Sequence, residues 1–528
     1  MEKETTILKS STAYIIHKPG IQMYDMTDAF STIVYKQETK IPLAYIYNSE
    51  QDIIRVPAGV GDRYIQDLYP KTPIQLMKYD NFHKNEFEMI STPDVDQKAV
   101  LGDIVSTLKK DSQVKCTLPT GTGKTFLATF LLHVLKMKAF IIVGTDNLRQ
   151  QWKLSFMRHT KLQNHEVILM EGAAMFAHNF QAGKVFITTH HTLRAIFNIN
   201  DPLSCRRFNE WMNNHGIGMK IFDEADLETM NMFKVDLMTN ICRTLYLTAT
   251  DYKSSKHDDR AYQKAFQTTK SFGKERFEGR VANRSGYIGI WNSKPGKTLY
   301  TRAMSFSNEF SPVKYCEYLF IYRQDFLLDF IDKGYKLWKE VAIVKYNPEA
   351  RLLITISRKA YCFILRDLLI KRWGLELKDI GVYNSSVDPK WKDFEFKKKI
   401  VISTLKSFGR GVDSPNMDVH VDTEAYISLS QFQQAVGRTG RKGGSKGFYL
   451  TFFDMTYTFI QISYRKKKEE FKNLFKSHQV VDLDEKFEPI DRQEAVTIKK
   501  AFQLKWWKYL KQETEERMTA KKKYGKGE

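Results

Sequence analysis

Cysteine is scarce and scattered in this 528-residue chain: Cys116, Cys205, Cys242, Cys316 and Cys362 are odd in number and form no C-x-x-C pair. That pattern supports neither a disulfide framework nor a zinc site, and it suits a reducing compartment. No apolar run approaches the roughly 20 residues of a membrane-spanning helix. The opening Met1-Glu2-Lys3-Glu4-Thr5-Thr6 lacks the basic-then-apolar order of a signal peptide. The expectation is a soluble, unsecreted, intracellular protein. Negative charge is in deficit: 61 Asp and Glu stand against 82 Lys and Arg, a formal net charge of +21. The large partner expected from that balance is a polyanion, with nucleic acid the leading candidate. The 42% hydrophobic content is enough for more than one core, and the length prior is roughly three domains.

The most informative stretch is Leu118-Pro119-Thr120-Gly121-Thr122-Gly123-Lys124-Thr125. It follows the strand-like Val114-Lys115-Cys116-Thr117-Leu118 and opens an apolar helix, Phe126 to Leu132. In such a loop Gly121 and Gly123 let backbone N–H groups close on phosphate oxygens. Lys124 brings charge to the outer phosphates, Thr125 offers its hydroxyl to Mg2+, and the helix N-terminus adds its dipole. The strict G-x-x-x-x-G-K-[ST] pattern would place glycine at Leu118, and this chain has it at Gly121 instead.

Around that loop the chain alternates apolar strands with helical stretches. Residues 1–90 read as a small separate module with strand-like pieces. Gln97 opens a helix upstream of the loop, where its amide can hydrogen-bond both edges of an adenine. Ala139 to Gly144 forms a buried strand that runs into Thr145 and a helix carrying Gln151, and Lys184 to Thr189 forms another that runs into His190. These strand ends offer hydroxyls and N–H groups to a sugar-phosphate chain. Met219-Lys220-Ile221-Phe222 ends in Asp223-Glu224-Ala225-Asp226. Consecutive side chains point opposite ways, so Asp223 can face Mg2+ and Glu224 the attacking water. Thr244 to Leu247 leads to Thr248-Ala249-Thr250, whose hydroxyls can bridge the acidic pair to the next domain.

Residues from 251 to about 345 mix basic and aromatic residues, compatible with phosphate contact and base stacking or with an ordinary solvated connection. A second alternating pattern then begins at Arg351 to Ser357 and continues through Lys398 to Thr404. Asp413 lies in a turn-rich loop beside Gly411. Gln434, Arg438 and Arg441 follow in Gln434-Ala435-Val436-Gly437-Arg438-Thr439-Gly440-Arg441, which places two guanidiniums about one helical turn apart and able to face one γ-phosphate.

From Gln97 to Arg441 the order of these motifs resembles superfamily 2 helicases and translocases, which commonly carry Thr-Gly before the Gly-Lys-Thr. The resemblance implies two tandem RecA-like parallel-sheet domains of the P-loop NTPase class, α/β, using ATP and Mg2+. It makes Lys124, Asp223, Glu224, Arg438 and Arg441 catalytic. ATP contacts fall on Gln97, Pro119 to Thr125, Asp413 and Gln434, Mg2+ on Thr125 and Asp223, and coupling on Thr248 and Thr250. Thr145, Gln151, Thr189, His190, Ser357 and Thr404 would touch nucleic acid. The implied division is an accessory module at 1–90, a first domain at 91–255, a connecting region at 256–345, a second domain at 346–462 and a basic tail at 463–528. Asp-Glu-Ala-Asp is shared with the DEAD-box RNA helicases, but their Ser-Ala-Thr and final histidine are replaced by Thr248-Ala249-Thr250 and Gln434. Leu148-Arg149-Gln150-Gln151-Trp152 is similar to the Leu-x-x-Gln-Trp element of DNA-directed members, including the XPB-like, phage UvsW-like and poxvirus transcript-release helicases. Duplex or branched DNA is therefore the favoured partner and a viral or phage source is suspected, placing the protein in cytosol or host-cell cytoplasm. An RNA helicase and the motor subunit of a restriction-type complex stand as alternatives.

Overall fold

A computed structural model describes the chain except for residues 1–3, 35–38, 78–81, 119–121, 198–201, 227, 250–255, 274–282, 409–416, 440–445 and 484–528. Its contacts divide it into two compact units, residues 1–278 and 279–528.

The first unit begins with strands β1 (Thr6–Lys9), β2 (Ala13–His17), β3 (Ser31–Val34), β4 (Thr39–Pro42), β5 (Ile46–Asn48), β6 (Ile53–Pro57) and β7 (Ile74–Leu76). Five of them form a sheet in the order β5-β6-β2-β1-β7, and β3 pairs with β4. A parallel sheet follows, built from β8 (Gln113–Thr117), β9 (Lys138–Val143), β10 (Val167–Leu169), β11 (Val185–Thr189), β12 (Ile217–Phe222), β13 (Arg243–Thr248) and β14 (Ser271–Phe272). Its order is β10-β11-β9-β12-β13-β8-β14, with every pair parallel. Both faces of the sheet are covered, as parallel sheets require, so its strands are rich in apolar residues, with Lys115 on β8 and Lys220 on β12 as buried charged exceptions. On β9, Ala139, Ile141 and Val143 enter one core, and Phe140 and Ile142 enter another on the opposite face. The first core also holds Val100, Leu131 and Trp152 from the helices Val95–Leu108, Lys124–Leu135 and Asp146–His159.

The opposite core contains Phe140, Phe222 and Tyr246 together with Ile7, Tyr14, Met26, Phe30 and Val56, so the N-terminal sheet is packed into the same hydrophobic layer as the parallel one. Hydrogen bonds pin the two together. Thr12 Oγ1 donates to the Asp236 carbonyl at 2.8 Å, and the Thr268 N–H donates to the Gly59 carbonyl at 2.7 Å. A Cβ on Gly59 would lie 2.3 Å from the Ala265 carbonyl oxygen, so glycine is what allows this approach.

The second unit is also a parallel sheet, of β15 (Arg284–Trp291), β16 (Arg351–Thr355), β17 (Ile380–Tyr383), β18 (Ile400–Ser403), β19 (Met417–Asp422), β20 (Gly447–Asp454) and β21 (Ser477–Leu483). The order is β17-β18-β16-β19-β20-β15-β21. Of the stretch 256–345, residues up to 278 fall in the first unit and the rest in the second, where β15 and the helices Pro312–Tyr322 and Gln324–Lys336 join its core.

Candidate nucleotide-binding site

The site of the first unit is built where β8, β9, β12 and β13 end. The helix Lys124–Leu135 starts at Gly123, whose φ of 88° is open to glycine and strained for other residues. A Cβ there would also sit 2.7 Å from Gln97 Nε2. Gln97 and Asp94 form a reciprocal cap at the start of Val95–Leu108. Gln97 Nε2 then donates to the Thr122 carbonyl at 3.0 Å. The glutamine expected to read adenine thus braces the loop, with Oε1 accepting from the Asp94 N–H at 3.1 Å. Each amide atom keeps a second hydrogen-bonding position.

Lys124 Nζ donates to the Leu118 carbonyl at 3.0 Å. Burial pushes this ammonium below its usual pKa, and the nearby Asp223, Glu224 and Asp226 push it back up. Those carboxylates hang from a turn clamped over two strand ends: the Asp223 N–H donates to the Ile142 carbonyl and the Ala225 N–H to the Leu247 carbonyl, each at 2.9 Å. Between them Glu224 takes a φ of 54°. Asp223 is buried, which raises its pKa; Trp152 Nε1, donating to Oδ2 at 2.8 Å, opposes that rise, as does Lys124. Asp223 Oδ1 accepts the Glu224 N–H at 3.0 Å. Thr248 Oγ1 donates to Asp226 Oδ1 at 2.7 Å. The hydroxyl expected to bridge the acidic pair therefore reaches Asp226, the third acid of the turn.

Among the described residues no cluster of three or more His, Cys, Asp or Glu side chains could cage a metal ion. This donor set fits Mg2+, which binds through one or two protein oxygens plus water and substrate phosphates. A desolvated ammonium at a helix start, beside carboxylates, fits a phosphate chain carrying such an ion.

Comparison with known proteins agrees with this geometry. Residues 90–252 match the family "Type III restriction enzyme, res subunit", and residues 343–443 match "Helicase conserved C-terminal domain". The two matches fall in that order and together span about half of the chain. The chain belongs to the superfamily 2 helicases. "Transcript termination protein A18" of Yaba-like disease virus is 20% identical over 443 residues, 78% of this chain and 85% of that protein. Among solved structures, S. cerevisiae Dbp5 bound to RNA and ADP BeF3 aligns with a TM-score of 0.50 at 16% identity, over 78% of this chain and 94% of that one. T4 UvsW aligns at 0.34 and 14%, over 91% of this chain and 100% of that one. At these identities the structural likeness to Dbp5 is one of fold.

The other expected site residues take varied places. Thr145 and Thr189 cap helices, accepting the N–H of Leu148 at 3.3 Å and of Thr192 at 3.2 Å. His190 is buried against Phe222, with Asn231 Nδ2 2.9 Å from its Nδ1, and burial lowers its pKa to about 4. Thr404 is buried and donates to Ser407 Oγ at 2.9 Å; Ser357 and Gln151 are half-buried. In the second unit Gln434 lies in the helix Leu429–Gly437, and Arg438 forms its C-cap. Arg284 Nε donates to the Thr439 carbonyl at 2.7 Å, fixing the chain just past that cap. Pro119, Thr120, Gly121, Thr250, Asp413 and Arg441 lie outside the described residues. Sequence reasoning gave Trp152 no role. The available signal was its indole N–H, which usually finds a partner when buried.

Proposed function

We propose that the chain is an ATP-dependent DNA translocase or helicase, coupling ATP hydrolysis to movement on duplex or branched DNA. The observation that carries the reading is the convergence of half-buried Lys124, at the start of the helix Lys124–Leu135, with buried Asp223 and half-buried Glu224 of the turn after β12. Lys124 binds the outer phosphates, and Thr125 and Asp223 would hold Mg2+. When bound, that ion neutralises charge on the phosphate oxygens. Glu224 accepts a hydrogen bond from the attacking water and orients it. Arg438 and Arg441 supply cationic charge to the transferring phosphoryl group, with Gln434 and Asp413 as further nucleotide contacts. Thr248, held on Asp226, and Thr250 couple the acidic turn to the rest of the motor. Backbone groups at Thr145, Thr189, His190 and Thr404, and side chains at Gln151 and Ser357, contact the nucleic-acid backbone. The N-terminal stretch and the basic tail add further grip.

The net charge of +21 supports a polyanionic track. The Leu148 to Trp152 element, similar to that of DNA-directed members, favours DNA over RNA. The test is ATP turnover with single-stranded DNA, duplex DNA, a branched junction and RNA at two salt concentrations. Branched or duplex DNA should stimulate most, and stimulation should fall steeply with salt because phosphate contacts release counterions. Lys124→Ala and Glu224→Gln should each abolish stimulated turnover. Undiminished turnover in both variants would overturn the site, and stimulation by RNA alone would overturn the DNA assignment.

A further inference from the structure

We propose that Trp152 is the positioning residue for the Asp223 carboxylate, holding it in the orientation in which it receives the Mg2+ of a bound nucleotide. The inference rests on the nucleotide reading above and assigns work to a residue that reading leaves idle.

Trp152 is 1% exposed on the helix Asp146–His159. Its Nε1 donates to Asp223 Oδ2 at 2.8 Å, while Oδ1 accepts the Glu224 N–H at 3.0 Å. One donor on each oxygen, from different directions, fixes the carboxylate's rotation. Each oxygen keeps acceptor capacity for a metal ion or its bound water. The helix is itself braced: Arg149 Nη1 donates to the Met170 carbonyl at 2.8 Å and Nη2 to Glu171 Oε1 at 2.7 Å. Behind the indole, the Phe156 ring packs at 6.2 Å between centroids. The strut therefore has a fixed base.

The fold does not require a carboxylate beside a buried indole: Trp291 is 1% exposed and its Nε1 has no hydrogen-bond partner among the described residues. Trp211 Nε1 donates to the His178 carbonyl at 3.0 Å and Trp338 Nε1 to the Ala350 carbonyl at 2.9 Å. At Trp152 the acceptor is instead the first acid of the Asp223-Glu224-Ala225-Asp226 turn. Partners of this kind, one step removed from the metal, typically change metal affinity by about 10–100-fold when removed.

The experiment uses the full-length chain and fluorescent ADP, titrated with Mg2+ and in its absence. Trp152→Phe deletes the donor and keeps an apolar ring. Benzothienylalanine incorporated at the same position keeps the indole shape without the N–H, so it reports the hydrogen bond even if the phenylalanine variant unfolds. Both should leave Mg2+-free ADP affinity within about 2-fold of wild type and raise the Mg2+ concentration for half-maximal tightening by about 10–100-fold. In an Asp223→Asn background the same substitutions should add little further shift, since coupled partners are not additive. Phe156→Leu loosens the same helix without touching the N–H; it should lower the melting temperature and leave the Mg2+ midpoint unchanged. An unchanged Mg2+ midpoint in the benzothienylalanine protein, or the same shift in Phe156→Leu, overturns the positioning role alone. A wild-type chain that binds no nucleotide with or without Mg2+ overturns the nucleotide reading, and this proposal with it.

Discussion

Beneath the acidic turn, Lys220 on β12 is 0% exposed and its Nζ lies 2.5 Å from Asp236 Oδ1; Asp236 is 2% exposed. Lys220 Nζ also donates to Thr239 Oγ1 at 2.6 Å, and the Tyr246 hydroxyl donates to Asp236 Oδ2. Burial drives the lysine pKa down and the aspartate pKa up, and each partner's charge opposes the other's shift. Lys220→Met strands the carboxylate in a dry site, which should destabilise the first unit by about 3–5 kcal/mol. The stranded Asp236 becomes protonated in the folded chain and ionised in the unfolded one. Its folded pKa then lies above the unfolded value, so the variant loses stability as pH rises, by about 1.4 kcal/mol per pH unit. The deficit should therefore be smaller at pH 5 than at pH 7.5. The triple variant Lys220→Met, Asp236→Leu, Tyr246→Phe removes the three buried members together; Gln113 Oε1, which lies 3.3 Å from the Tyr246 hydroxyl, belongs to a half-buried residue. Thr239 Oγ1 keeps its bond to the Val235 carbonyl at 2.8 Å, and Thr12 still meets the Asp236 main chain. That variant should recover most of the loss, as apolar replacements of buried ion pairs often do. Calorimetry of the full chain, with the first unit's transition identified by its response to ADP, reads the effect at roughly 2–4 °C per kcal/mol. A shift under about 2 °C for Lys220→Met at pH 7.5 would refute the reasoning, since it lies below the roughly 6 °C that 3 kcal/mol implies. A triple variant no better than the single one would refute it too.

His190, whose pKa burial lowers from 6.5 to about 4, stays neutral in the folded chain while the unfolded chain takes up a proton below 6.5. Its contribution is thus fully present above pH 6.5 and is lost as pH falls toward 4, by up to about 3 kcal/mol. His190→Gln should flatten that stretch of the acid-unfolding curve, and an unchanged slope would assign the loss to other groups. Gly123→Ala would put a side chain on a left-handed residue, straining it by roughly 1–2 kcal/mol. The new Cβ would also press on Gln97 Nε2, 2.7 Å away. Weakening of fluorescent-ADP affinity by about 5–30-fold is expected, and affinity equal to wild type would show that the loop reshapes freely.

The parallel strands were legible because their burial on both faces forces continuous apolar runs, and Ala139 to Val143 is apolar whichever side a residue faces. The acidic turn and the helix opening at Lys124 were legible because their chemistry is local, in consecutive residues. Contacts made across long separations were not. Thr12 meets Asp236 across 224 positions and Trp152 meets Asp223 across 71, and nothing near either residue in the chain announces its partner. The strand-end threonines were only half legible, for a different reason. A hydroxyl after a strand can face a phosphate or cap the helix that follows, and Thr145 and Thr189 do the second, leaving N–H groups beyond the cap as the better contacts. Glu224 combines both cases. Its identity was readable, but its φ of 54° was not. That geometry is disfavoured for an L-residue by roughly 1–2 kcal/mol. It is held by the bonds of its neighbours, Asp223 to Ile142 and Ala225 to Leu247. Those neighbours turn the Glu224 side chain away from the strand direction it would otherwise follow. Its orientation toward Gly144, whose missing Cβ would sit 3.5 Å from Oε2, is therefore a property of two strand ends rather than of the tetrapeptide.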